Sequence, residues 1–71
     1  MRTAQELIDD IAALPVGSVV SLANSGSSFV STFSTPIPNT TRRMAHDRAS
    51  HSDPLTALSN GLDAALIRIG G

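Results

Sequence analysis

Apolar and polar positions follow two different periods along this chain. Leu7, Ile8, Ile11, Ala12 and Leu14 recur at helical spacing and make one stripe. Ahead of them, Thr3-Ala4-Gln5-Glu6 fits a reciprocal capping box, with the Glu6 amide donating to the Thr3 hydroxyl and the Thr3 amide to the Glu6 carboxylate. Pro15 biases Leu14 out of the helical region, so a helix is predicted over residues 4–14. After Gly17 the period falls to that of a strand. Ser18-Val19-Val20-Ser21-Leu22 is β-branched and partly alternating, and residues 28–35 place Phe29, Ser31 and Phe33 on one face with Val30 and Thr32 on the other. Between them Ala23-Asn24-Ser25-Gly26-Ser27 supplies turn chemistry, so the two runs are predicted to pair as an antiparallel hairpin. Pro36-Ile37-Pro38 ends it, because neither proline can donate to a ladder.

Residues 39–52 contain one large apolar side chain, Met44. So little burial cannot offset the entropy of ordering, and residues 37–53 are expected to form a polar, mobile excursion. A short helix over residues 41–49, capped by Thr40, is the alternative. Asp53-Pro54 reads as a helix cap and first helical position, Leu55, Leu58 and Leu62 as a short apolar face, and Asn60-Gly61 as a left-handed stop. Ala64-Ala65-Leu66-Ile67-Arg68-Ile69 then has the composition of a strand, with Ala65, Ile67 and Ile69 pointing one way. The expected fold class is α+β: one domain over residues 1–71, a small three-stranded antiparallel sheet with an N-terminal helix and a short second helix, in the order α-β-β-α-β. Helix 4–14 would cover the apolar sheet face, and an unpaired side of the hairpin would be a ready edge for another chain. Ser31, set between Phe29 and Phe33, would need a partner for its hydroxyl.

Composition narrows the classes. Hydrophobic residues make up 41% of the 71, but nine of them are Ala, so the core is thin and part of the chain should be loose or packed on a partner. The absence of Cys excludes a disulfide framework, a thiolate zinc site and a cysteine nucleophile. No apolar run has the length of a membrane span and no signal-peptide core is present, so the expected location is the cytoplasm or a virion, with no membrane partner. The net charge is −1, and every basic residue is Arg. Residues 36–54 carry Arg42, Arg43 and Arg48 against Asp47 and Asp53, a local balance of +1. That field is too small for a protein that holds DNA by neutralising many phosphates.

Leu14-Pro15-Val16-Gly17-Ser18-Val19-Val20, following a short amphipathic helix, resembles the opening of small uncharacterised proteins encoded by actinobacteria and their phages. In those proteins the corner runs into a hairpin, a short Leu-rich helix and a last strand. The resemblance implies a phage or actinobacterial origin, which suits a chain without Lys, and it implies no catalytic residues. The turn here is Asn-Ser-Gly and the aromatics are Phe, where those relatives carry acidic turn residues and a Trp.

Clustered titratable groups occur only at His46-Asp47 and His51-Ser52-Asp53. His46 and His51 are five apart, which does not place them on one helical face, and a mobile segment does not preorganise metal ligands. A Ser-His-Asp hydrolase would need a strained nucleophile turn and an oxyanion hole, and ten serines make a chance neighbour commonplace. Ser25-Gly26-Ser27-Ser28 lacks the Lys and the following helix of a phosphate loop. No cofactor, metal or catalytic residue is therefore expected. Arg42, Arg43, Met44, His46, Arg48 and His51 are the candidate partner-binding residues, the arginines for carboxylates or phosphates and Met44 as an adaptable apolar knob. The expected function is that of a non-enzymatic accessory protein, phage-encoded, which binds a host or phage protein or associates with itself. A small virion subunit and a weak nucleic-acid binder are the alternatives.

Overall fold

The computed structural model describes residues 2–39 and 43–70. Five elements follow in order: α1 (Ala4–Ala12), β1 (Val19–Asn24), β2 (Phe29–Pro36), β3 (Met44–His51) and α2 (Pro54–Gly70). The strands form one antiparallel sheet in the order β1-β2-β3, with both helices on the same face. The α+β class, the three-stranded sheet and the two helices stand as expected. The order is α-β-β-β-α instead of α-β-β-α-β.

The first half follows its sequence closely. The capping box of α1 is complete, Glu6 N–H donating to Thr3 Oγ1 at 3.1 Å and Thr3 N–H to Glu6 Oε1 at 3.2 Å. At the corner Ser18 N–H donates to Pro15 O at 3.1 Å, and Gly17 has φ 94°. A positive φ at the third position of such a turn is the type II geometry that glycine adopts without strain, so the corner motif is a backbone requirement. The hairpin pairs Val19 with Ser34 through to Asn24 with Phe29.

The second half departs in two places. The expected excursion over residues 37–53 contains β3, which pairs along β2 from Phe29–His51 to Pro36–Met44; Thr40, Thr41 and Arg42, including the cap of the alternative short helix, lie outside the described residues. β3 needs no large apolar side chain, because its backbone bonds come from the ladder and its inner positions, Ala45, Asp47 and Ala49, lie half-buried against α2. Asp47 is tolerated there because Arg68 Nη2 reaches its Oδ2 at 2.6 Å. The expected short helix and last strand are a single helix, α2. Ala65 is buried while Ile67 and Ile69 are exposed, so these three do not share a face as strand alternation would require.

Gly61 sits inside α2 and is not its stop. A Cβ there would collide with Ser31 Oγ and lie 2.9 Å from both Cδ1 and Cε1 of Phe33. The glycine lets the helix lie close on β2, with Ala57 and Ala65 one turn to either side in the same buried stripe. At that distance Ser31 Oγ donates to Ala57 O at 2.6 Å, which supplies the partner its burial demands. Leu7, Phe33, Leu62 and Ala65 form the centre of the core, flanked by Ile11 and Leu14 from the α1 side, Leu55 and Leu58 from α2, and Val20 from β1. Arg2 pins the two helices together through Asp10 at 2.8 Å and Asp63 at 2.7 Å, and its Nη1 donates to Ser59 Oγ at 2.9 Å. The hydrogen bonds to Asp63 and Asp10 raise the Arg2 pKa and hold its guanidinium charged.

Gly61→Ala is expected to lower stability despite the better helix propensity of alanine. Overpacking costs about 1–3 kcal/mol against about 1 kcal/mol gained in propensity. A net loss of up to ~2 kcal/mol would lower Tm by as much as roughly 8–16 °C in a domain this small. Gly70→Ala, where a Cβ meets nothing within 4 Å, should be neutral or mildly stabilising. Thermal denaturation of both variants checks this, and an unchanged or raised Tm for Gly61→Ala would contradict the close approach.

Candidate functional site

The covered face of the sheet and the open one differ in chemistry. Phe29, Ser31, Phe33 and Thr35 of β2 face the helices, and the last three are fully buried. The alternate positions Val30, Thr32 and Ser34 face away, and no described element covers them, while Pro36 at the strand's end borders the Gly17 corner. Register places Met44, His46, Arg48 and Ser50 of β3 beside them, opposite Pro36, Ser34, Thr32 and Val30 in turn.

Of the six residues singled out in the sequence, this geometry collects three. Met44, His46 and Arg48 form a row on the outer strand, about 6.8 Å apart along the chain as alternate residues are. Arg43 precedes the row, exposed, and its carbonyl accepts from Ile37 N–H at 3.1 Å. Arg42 lies outside the described residues. His51 has the opposite parity, so it leaves the row, and its Nδ1 accepts from Asp53 N–H at 3.0 Å beside the start of α2. The sequence carried no clean signal for the row, because Asp47 falls among the inner positions and only the strand pairing sets the parity. The open-face hydroxyls of Thr32 and Ser34 carried none either, because only the strand pairing makes them neighbours of Arg48 and His46.

Ser34 Oγ lies 2.7 Å from His46 Nδ1, which fixes the ring and leaves Nε2 for a partner. A catalytic pair would have a third group behind the imidazole. Here the nearest carboxylate in sequence, Asp47, projects from the other face and is held by Nε and Nη2 of Arg68, at 2.9 and 2.6 Å. Arg68 Nη2 also donates to the buried Thr35 Oγ1. Among the described residues no three His, Asp or Glu side chains come together as a metal site would require. A cleft of about 290 Å³ at the corner is walled by Pro15, Pro36, Pro38, Ala45 and Ile69, with Arg68 already committed at its side. It offers apolar surface and no free reactive group. Among the described residues no helix is long and apolar enough to cross a membrane.

The row carries no carboxylate. The acids of the molecule lie elsewhere: Glu6, Asp9 and Asp10 on α1, Asp63 on α2, Asp47 under α2, and Asp53 at the mouth of α2. Arg48 has no ion-pair partner among the described residues, so its charge is available to an incoming group. The chain matches no protein-family model, no curated protein and no solved structure.

Asp53 joins the row's strand to α2. Its carboxylate accepts from Thr56 N–H and Thr56 Oγ1, both at 2.8 Å, and these bonds hold it below the ordinary aspartate pKa, the backbone bond first. A carboxyl that titrates lower in the folded state than in the unfolded chain stabilises the fold above the unfolded value. That stabilisation is lost as pH falls through the folded value. Asp53→Asn keeps a capping oxygen without the charge and should flatten the acid limb of the stability–pH curve, read by urea denaturation between about pH 5 and pH 2. An acid limb as steep as that of the parent would mean that this cap does not titrate.

Proposed function

We propose that the chain is a non-enzymatic accessory protein, phage-encoded, that acts by binding an acidic segment of a host or phage protein on its open sheet face. The observation that carries this reading is the row Met44, His46, Arg48: an unpaired guanidinium, a ring oriented by Ser34 and a flexible thioether on one uncovered strand with no acid beside them. Their spacing matches the repeat of an extended peptide, whose alternate side chains present to the same face. An Arg can receive a carboxylate in a forked geometry, and Met44 adapts to an apolar neighbour. The origin rests on the resemblance at residues 14–20 and on the lack of Lys. On this reading the protein works in the host cytoplasm or within a particle.

Protein is favoured over nucleic acid by magnitude. Few free cations share this face, and the two Phe are internal or half-buried, so there is no stacking platform for bases. Titration of the labelled protein with a Glu-rich peptide, followed by NMR, should shift the amides of Met44–Arg48 together with Thr32 and Ser34. Arg48→Ala should weaken the peptide about fivefold, ~1 kcal/mol, and salt should weaken it further. Single-stranded DNA of equal charge should perturb the same amides less. A peptide that leaves β3 unperturbed, or DNA that binds more tightly, would overturn the proposal.

A further inference from the structure

The sheet has two outer edges, and they are unlike. β3 carries His46, Asp47 and Arg48, the charged residues with which proteins protect an edge from pairing. β1 reads Val-Val-Ser-Leu-Ala-Asn, without a charge or a proline. Three of the large exposed apolar residues lie on or beside it: Val16 at 100%, Val19 at 59% and Leu22 at 43% exposure. Ile8, 60% exposed, adds to them from the helical layer. α2 lies across β2 and β3, while α1 packs on α2 and meets the core through Leu7. Asp10 of α1 points toward α2 through Arg2, and Leu7 points into the core. At 100° per residue Ile8 therefore leaves α1 on the side away from α2.

We propose that β1 pairs antiparallel with β1 of a second copy of this chain, giving a two-fold dimer with one continuous six-stranded sheet. This goes beyond the reading of β3 above and uses a different edge. The phase of the ladder supports it. Ser25 N–H donates to Ser28 O at 2.9 Å, closing the hairpin with a hydrogen-bonded pair. Alternation from that pair turns the backbone N–H and C=O of Val20, Leu22 and Asn24 outward, where no described strand meets them. A two-fold centred on Leu22 sets Leu22 against its copy and Val20 against Asn24, satisfying the outward groups of all three.

A second copy is the occupant because the edge is self-complementary. No charged residue of β1 would face its like, and none is present to recruit a charged partner. Leu22 of each copy would meet its counterpart across the axis. A stable interface takes roughly 800 Å² from each partner, about one sixth of the 4602 Å² surface. A six-residue edge about 20 Å long offers less than that, which places the dimer among the weaker associations. Association is also a common way for a chain of this size to supplement a thin core.

Sedimentation equilibrium of the full chain should show a dimer at tens of micromolar. Leu22→Lys, which sets like charges against each other at the axis, should raise the dimer dissociation constant about a hundredfold, with circular dichroism confirming that the fold is kept. A second variant guards against misfolding. The chain has no Cys, so Leu22→Cys introduces a single thiol whose copy would lie about 5.5 Å away between Cα atoms, within disulfide reach. Mild oxidation should crosslink Leu22→Cys rapidly and Val16→Cys slowly, although Val16 is the more exposed. A monomer at every concentration up to about 1 mM, or equal crosslinking of the two variants, would overturn the dimer. Neither outcome bears on whether the β3 row binds an acidic peptide.

Discussion

The closeness of α2 to β2 at Gly61 is the constraint from which the rest of this fold follows. A helix packed on a sheet ordinarily rests on large side chains that hold the two backbones apart. Here the stripe Ala57, Gly61, Ala65 brings the helix backbone within hydrogen-bond distance of a strand side chain, so Ser31 can donate to Ala57 O. Phe33 fills the space at the notch beside Gly61. A chain with few large apolar residues thereby packs helix on sheet through small ones, and dispersion contacts at short range take the place of bulk.

That closeness commits the inner sheet face to polar groups, and each has been given a partner. No buried side-chain nitrogen or oxygen among the described residues lacks one. Ser31 uses the helix carbonyl, and Thr35 accepts from Arg68. Arg68 in turn neutralises Asp47, which lets β3 lie under α2 although its inner face is Ala-Asp-Ala. One arginine in the last turn of α2 therefore joins helix, central strand and outer strand. Because Asp47 is consumed inside, the outer face of β3 is left with a cation and no anion. The charge asymmetry of the candidate surface is a consequence of how the inner face is satisfied.

How far this was legible in the sequence depended on whether the signal was local. The capping box at Thr3, the Gly26 turn and the Asp53 cap are each set within four residues and were readable, as was a change of element at Gly17, though not its turn type. So was the need of Ser31 for a partner, though not its identity, which is 26 residues away. β3 was missed because its order comes from β2 and Arg68, while Met44 alone gave it apolar weight. α2 was divided at Asn60-Gly61 because a glycine there has the same appearance whether it ends a helix or admits a neighbour. Only the distance to Phe33 separates the two. For the candidate surface, the types Arg43, Met44, His46 and Arg48 were visible, but their arrangement required the strand parity that also removes His51.

The two unlike edges have a joint consequence. If β1 pairs with its copy about an axis perpendicular to the sheet, the two open faces lie on the same side of one continuous surface. The β3 rows then form its outer margins. Five strand spacings of about 4.8 Å separate them, about 24 Å in all. Two weak acidic contacts at that separation, borne on one partner, would act together, and the second would form at an effective concentration far above that of free solution. A row with one unpaired arginine is a feeble site in a monomer, worth about 1 kcal/mol by the magnitude of exposed charge pairs. Doubled on a rigid sheet, the same row becomes selective for partners that repeat, such as an oligomer or a particle surface, because only these can engage both margins at once.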